Sequence, residues 1–385
     1  MIKRILKKKL LSIHAQFPVT FLTGPRQSGK TTLIKSLRLG LPYVSLEDPD
    51  MRVFASKDPR GFLNNYKDGM VIDEAQNVPE LFSYIQGLVD GSKKKYVLSG
   101  SQNFLLMDKI NQSLAGRVGI LKLLPFQIKE IKLQIKDKSF YELLFTGFYP
   151  RIYANSISPS DYYPNYINTY IERDVRQLKN IENLRTFTNF LKLCAGRIGQ
   201  PLNMASLASD AGISPNTAKS WLSLLEASYI VFFLPPHYKN FSKRIIKSPK
   251  LYFYDTGVAC SLLGIESPRQ LATHFAIGSL FENMIILDLV KRKLNAGKQI
   301  NFYFWKNNTG KEIDLIVDKA DAAIPFEIKS GATMNSSYFS NLFYWQKLTN
   351  TSPKNLHVIY GGDKSNKTNM GNLISWRDLD NLKNL

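Results

Sequence analysis

Short apolar runs separated by polar turns and helical stretches punctuate the first third of the chain. They are Val19 to Thr23, Pro42 to Leu46, Gly69 to Asp73, Tyr96 to Ser101 and Val118 to Leu123. Runs this short, bounded by turn residues, predict buried strands, and their alternation with helices predicts βαβ units in a parallel sheet. A helix is expected over roughly residues 103–115, before the fifth run. Parallel sheets bind ligands at the carboxyl ends of their strands, where Thr23, Asp73 and Ser101 fall. Farther along, Leu202 to Ala211 is apolar on one side, Gly212-Ile213 makes a turn, and Ser214-Pro215 opens a helix through Glu226 as N-cap and first helical residue. Two strands, Tyr229 to Leu234 and Lys250 to Tyr254, are expected to complete a winged helix. The C-terminal third alternates into strands at Gly310 to Val317 and Pro325 to Lys329, after an amphipathic helix that starts at Gly278. Gly361 to Met370 is polar and reads as a loop.

The first strand runs into Gly24-Pro25-Arg26-Gln27-Ser28-Gly29-Lys30-Thr31, a GxxxxGK[ST] loop, and Thr32 to Leu37 continues as a helix. Gly24 and Gly29 let the backbone curl so that successive N–H groups face phosphate oxygens, aided by the helix dipole. Lys30 is expected at the β- and γ-phosphates, with the Thr31 hydroxyl on Mg²⁺. The third strand ends in Asp73-Glu74. Asp73 suits the Mg²⁺ shell, and Glu74 suits the general base that activates the attacking water. Ser101, with Gln102 as its alternative, is expected at the γ-phosphate. Arg117, between a helix end and the fifth strand, reads either as an arginine finger serving a neighbouring subunit or as a helix-terminal arginine favoured by the dipole.

The motifs Gly24 to Thr32, Ile72 to Gln76, Leu98 to Ser101 and Leu114 to Arg117 resemble those of AAA+ ATPases in a prokaryotic group. The likeness continues through Tyr170 to Val175 into a C-terminal domain whose function is not characterised. It implies a parallel sheet of strand order 5-1-4-3-2, ATP and Mg²⁺ as cofactors, and ATP-dependent work in a homo-oligomer.

Charge changes the picture in the middle of the chain. The formal net charge is +20 over 385 residues, a balance that favours polyanions through counterion release. Residues 183–250 hold nine Lys or Arg against two acids, Asp210 and Glu226. The second helix of the winged-helix pattern offers Lys219, and the segment between its strands offers Lys243, Arg244 and Lys247. Phosphate contact with DNA is the expected partner reading. A winged helix used only for packing between domains, or a protein partner, is the alternative.

Asp314 and Glu327, with twelve residues between them, lie on two expected strands, and Lys329 shares a face with Glu327. Two carboxylates and a lysine in this order, with Glu282 on the upstream helix as a third carboxylate, suit a divalent cation that activates water against a phosphodiester. The set resembles the PD-(D/E)xK nuclease fold, with Ile313 where a proline often stands before the aspartate. Two readings stay open, a nucleotide-gated nuclease and a non-cutting, ATP-dependent regulator or remodeller. The nearby aromatics Tyr303, Phe304, Trp305, Tyr344 and Trp345 read as core rather than as base-stacking residues.

The expected architecture is therefore α/β. A P-loop AAA+ domain spans 1–155, a helical and winged-helix domain 156–255, and a restriction-endonuclease-like α/β domain 256–385. Cys194 and Cys260 show no partner motif and fit a reducing compartment. The four histidines are scattered, which argues against a zinc site. No apolar run approaches membrane-spanning length, and Met1 to Lys9 is a basic amphipathic helix without a signal-peptide core, so no membrane partner and a cytoplasmic location are expected.

Overall fold

Proline and capping side chains set many of the element boundaries. In the computed structural model, which describes residues 2–101, 112–170, 183–237, 247–319 and 321–382, helix α1 (Leu6–Gln16) buries Leu6 and Leu10, one turn apart, and stops before Phe17-Pro18, where proline disfavours helix in the preceding residue. Strand β1 (Val19–Thr23) leads through the P-loop to α2 (Lys30–Lys35), and β2 (Tyr43–Ser45) follows. Asp48 and Asp58 then cap α3 (Pro49–Lys57) and α4 (Pro59–Asn64), each with proline at the first turn. After β3 (Gly69–Asp73), α5 (Leu81–Asp90), β4 (Lys95–Gly100) and β5 (Val118–Lys122), the sheet is complete. Its order is β2-β3-β4-β1-β5, with every pairing parallel. The expected order, read from the other edge, is the same. The helix expected near 103–115 falls largely outside the described residues.

Helices α6 (Phe140–Thr146), α7 (Pro150–Asn155), α8 (Pro159–Tyr166), α9 (Leu184–Ala195), α10 (Met204–Ala211) and α11 (Pro215–Ala227) form the middle region. Asn203 caps α10, Gly212 closes it in the left-handed conformation at φ 66°, and Ser214 caps α11 by accepting from Thr217 N. Antiparallel β6 (Val231–Leu234) and β7 (Lys250–Phe253) follow. Two short helices, α12 (Thr256–Leu262) and α13 (Pro268–Leu271), lead to the long α14 (Ile277–Asn295).

The last part is a mixed six-stranded sheet in the order β12-β13-β11-β10-β9-β8. Its strands are β8 (Phe302–Lys306), β9 (Glu312–Asp318), β10 (Ala323–Lys329), β11 (His357–Tyr360), β12 (Asn366–Thr368) and β13 (Gly371–Ser375), with α15 (Ser340–Thr349) between β10 and β11. The segment 361–370 is thus more than a loop: it contributes the edge strand β12, paired antiparallel with β13. Its residues are polar because an edge strand needs no buried face.

One hydrophobic cluster runs from Leu124 to Leu382 and includes the middle helices, α14 and residues of β8, β9 and β10. Helix α14 is fastened to the segment that follows β5. Asp288 accepts from Ile128 N at 2.7 Å, and Lys291 donates to Phe126 O at 2.8 Å. Burial raises Asp288 to about 6 and lowers Lys291 to about 8, so each ion depends on its partners in the fold. Trp305 and Trp345 are fully buried, as the core reading expects, and both cysteines are buried free thiols. Among the described residues no helix is long and apolar enough to cross a membrane.

Candidate nucleotide site and a buried carboxylate centre

Every residue of the P-loop lies within the described structure, at the carboxyl end of β1. Gly24 has φ +154°, and a Cβ there would sit 2.1 Å from Leu123 O, so no other residue fits. Gly29, at φ +91°, caps α2 in the left-handed region. Lys30 is 5% exposed, and its ammonium donates to Gly24 O and Pro25 O at 3.0 Å each. Burial lowers its pKa, opposed by the charges of Glu74 and Asp73. A buried ammonium held by two loop carbonyls can exchange these weak partners for phosphate oxygens.

Asp73 is the hub. Its Oδ2 accepts from Thr31 Oγ1 at 2.6 Å and Tyr43 OH at 2.7 Å, while Oδ1 accepts from Ser99 Oγ and from Glu74 N. Hard oxygen donors of this kind, a hydroxyl and a carboxylate meeting beside a phosphate loop, fit Mg²⁺. Thr31 and Asp73 would hold it, and the ion would supply positive charge to the phosphates. Glu74 stands next to them with φ +53°, a left-handed conformation uncommon outside glycine and frequent at functional sites. Its carboxylate accepts from the Gln76 amide. Ser28 and Ser101 bury hydroxyl oxygens that have no hydrogen-bond partner among the described residues, as donors awaiting a ligand would. A cavity of about 1960 Å³ opens beside the loop, lined among others by Lys30, Thr31, Glu74, Phe126 and Tyr153.

The loop is also held from behind and from the side, by residues that no motif announces. Arg4 donates to Ser28 O at 2.7 Å and Leu124 O at 2.6 Å and pairs with Glu130 at 3.1 Å, so part of the basic N-terminus is a buried brace. Tyr162 of α8 donates to Gln27 Oε1 at 2.8 Å, and the Arg26 guanidinium lies 5.6 Å from the centre of the Tyr170 ring. Tyr162 and Tyr166 stack, Tyr166 shares a hydrogen bond of 2.7 Å with Tyr149, and Tyr170 donates to Ser228 O just after α11. The i, i+4, i+8 spacing of Tyr162, Tyr166 and Tyr170 was the available signal.

Arg117 stands at the amino-terminal edge of the sheet, about 16 Å of strand away from the P-loop edge. It forms a two-point ion pair with Asp90 at the end of α5, at 2.5 and 2.8 Å. It does not meet its own chain's P-loop, and any role across a subunit boundary requires that pair to open. Gln102 lies outside the described residues.

In the middle region Lys219 is exposed on α11, as is Lys247 before β7, whereas Lys243 and Arg244 lie outside the described residues. Helices α10 and α11 pack together, and α11 packs against β6, which pairs antiparallel with β7.

The C-terminal carboxylates come together around lysines. Lys329 Nζ lies 3.1 Å from Asp314 Oδ2 and 2.5 Å from Glu327 Oε2, and Ile328 N donates to Asp314 at 2.8 Å. Glu282 accepts from Tyr252 OH at 2.5 Å and from Lys250 Nζ at 2.9 Å, and Lys250 also pairs with Glu312. Lys250 is 1% exposed. Burial works against the charge of Asp314, but Lys329 and Lys250 outweigh it and hold its pKa low. Burial, reinforced by Asp314, pushes Glu327 up to about 8, and burial also raises Glu282. The sequence pattern pointed to Glu282, Asp314, Glu327 and Lys329 but not to Lys250, whose place at the start of β7 carries no hint of carboxylate chemistry. Among the described residues, no group of three or more His, Cys, Asp or Glu is arranged to hold a metal ion.

Residues 16–132 match an AAA domain, 137–269 a domain of unknown function (DUF8612), and 277–379 another (DUF4143). The uncharacterized protein Rv2008c of Mycobacterium tuberculosis is 31% identical over 325 residues, which cover 83% of this chain and 72% of the relative. An uncharacterized protein of Haemophilus influenzae is 21% identical over 360 residues, covering 85% and 86% of the two chains. Among solved structures, the Walker-type ATPase PABY2304 of Pyrococcus abyssi superposes with a TM-score of 0.49 at 16% identity, covering 68% of this chain and 96% of that one. The chain belongs to the same family as the mycobacterial protein, and it carries an AAA-type, ATP-binding domain joined to two domains of unknown function.

Proposed function

We propose that the chain is an ATP-hydrolysing switch that works on DNA without cutting it. The observation that carries hydrolysis is the meeting of Thr31 Oγ1 and Asp73 Oδ2 at 2.6 Å, with Glu74 the next residue. On this reading Lys30 neutralises the β- and γ-phosphates, Ser101 contacts the γ-phosphate, and Glu74 takes a proton from the attacking water. Gln76 holds the Glu74 carboxylate until the γ-phosphate and water arrive, and the amide must then release it.

The path from loop to partner runs through Gln27, Tyr162 and Tyr166 of α8, Tyr170 beyond its end, and Ser228 just after α11. A triphosphate that reshapes the loop around Gln27 would thereby bias the winged-helix region, which is the two-state element such a switch requires. DNA is the proposed partner because of the net charge of +20 and the basic middle region, with Lys219, Lys243, Arg244 and Lys247 as phosphate contacts. A non-cutting role is favoured over the nuclease because Lys250 and Lys329 already neutralise the carboxylates that a metal would need. The domains are proposed to run 1–155, 156–255 and 256–385, and the working unit to be a homo-oligomer.

The test is steady-state ATPase and nucleotide-binding measurement on two variants. Lys30→Ala should lose ATP binding. Glu74→Gln should bind ATP and hydrolyse it ~10²–10⁴-fold more slowly, because the amide keeps the shape and loses the base. A Glu74→Gln chain that turns over like the parent would remove Glu74 from the mechanism.

A further inference from the structure

The strongest unexplained feature is the ammonium of Lys250. It comes from β7, in the middle region, yet it ends among carboxylates of α14 and the C-terminal sheet. Burying an unpaired ammonium is costly, so such a residue persists only where several anions surround it. Here Glu282 and Glu312 touch it, and Asp314 lies within electrostatic reach. Glu327, beside Asp314 through Lys329, is 1% exposed, and its Oε1 has no hydrogen-bond partner among the described residues. Four carboxylates share three lysines, since Lys306 also pairs with Glu312 at 2.5 Å, which still leaves one carboxylate in excess and a spare carboxylate oxygen on Glu327.

We propose that Lys250 is an internal cation that stands in for a divalent metal ion and holds a latent Mg²⁺ or Mn²⁺ site shut. A hard divalent cation prefers several carboxylate oxygens at once, and Glu282, Glu312, Asp314 and Glu327 offer that donor type. While the ammonium sits among them, entry of a second cation is opposed by its charge and its volume. Loss of the ammonium would leave an uncompensated buried cluster that recruits a divalent ion. The role of β7 in the fold follows: through one side chain it makes the C-terminal centre a metal-free joint between the wing strands and α14. The inference rests on geometry in the C-terminal half alone and does not depend on ATP hydrolysis.

The experiment is Mn²⁺ binding to nucleotide-free protein, read as loss of the free-ion EPR signal, with a thermal melt in parallel. The wild-type chain should bind no Mn²⁺ that is sensitive to Glu327→Gln. Lys250→Ala and Lys250→Met should each bind one equivalent per chain that the wild-type chain does not bind. That binding should disappear when Glu327→Gln is added. Their melting temperatures should rise with Mn²⁺, and wild type should not respond. Lys250→Met retains the alkyl stem, so it separates charge from packing. Should either variant be unfolded without metal, Mn²⁺ is expected to restore a cooperative melt, and failure to do so overturns the proposal. Wild-type protein that binds Mn²⁺ through Glu327, or a folded Lys250 variant that binds none, overturns it as well.

Discussion

At the scale of single residues the candidate nucleotide site centres on Asp73, which accepts hydrogen bonds from Thr31, Tyr43, Ser99 and the Glu74 backbone at once. A carboxylate fixed by this many donors cannot swing, so a metal ion placed against it would be placed accurately. Residue-scale effects also reach stability. His357 lies on β11, its ring stacked on Phe326 with centroids 4.8 Å apart, and burial lowers its pKa to about 4. The unfolded chain takes up this proton at the ordinary histidine pKa near 6.5, whereas the folded chain resists it down to about 4. Between these values the unfolded state holds more protons, so this stabilising contribution is complete above pH 6.5 and is lost as the pH falls toward 4. Denaturant titrations at pH 7 and pH 4.5 should therefore show a smaller acid-induced loss in His357→Gln than in the parent. Equal losses in the two proteins would show that another group governs acid sensitivity.

At the scale of elements, α8 is the part that joins the P-loop to the middle region. Its tyrosines bury large apolar rings and keep their hydroxyls paired, a combination that favours a single defined geometry over a fluid packing. Removing the Tyr162 hydroxyl cuts the bond to Gln27 and leaves the ring in place. Tyr162→Phe should accordingly retain ATP binding and measurable turnover. What it should lose is any ATP-dependent change in hydrogen exchange over α10 and α11, measured peptide by peptide in the parent and the variant. If the two proteins respond alike to ATP, the coupling takes another route. The pair Arg117–Asp90 belongs to this scale too, since it ties the start of β5 to the end of α5. If Arg117 acts across an interface, Arg117→Ala should bind ATP normally and hydrolyse it slowly. Mixing it with Glu74→Gln should restore some activity, because one mixed interface then contains an intact site. An ATPase rate per chain that is independent of concentration in a strictly monomeric sample would leave the arginine as a local ion pair.

For the whole molecule, charge and connectivity matter most. Of the excess of 51 basic over 31 acidic residues, nine basic against two acidic residues fall in 183–250, where the winged-helix pattern lies. Binding to DNA should weaken steeply with salt, because each neutralised phosphate releases counterions. Reversing the charge of Lys243, Arg244 and Lys247 together should weaken binding roughly tenfold or more, to a similar degree for unrelated sequences, as phosphate contacts carry no base information. Fluorescence anisotropy with two unrelated duplexes across a salt series measures both effects. Sequence-selective loss would indicate base reading by α11, and unchanged affinity would move the search to a protein partner. Arg4, Asp288 and Lys291 join the N-terminus, the segment after β5 and α14, so a change at the nucleotide need not stay local.

The P-loop, the five strands and the strand-end positions of Asp73 and Ser101 were legible in the sequence because they depend on neighbours along the chain, whereas the strand order was only implied by the family resemblance. A phosphate cradle is built from consecutive backbone N–H groups, and strand or helix periodicity repeats within a few residues. The shared face of Glu327 and Lys329 was legible for the same reason, through alternation along one strand, whereas the antiparallel pairing of β9 with β10 was decided by the fold. The edge strand β12 was not legible, since polar residues at an edge leave no hydrophobic alternation to read. Tertiary structure alone decided the partners that lie far apart in the chain, such as Tyr162 with Gln27, 135 positions away, and Arg4 with Glu130, 126 positions away. It also decided that Lys250, on the surface by its composition, sits buried against Glu282. A buried charge is tolerated only when folding brings its counter-charges from distant segments, and no local pattern records that requirement.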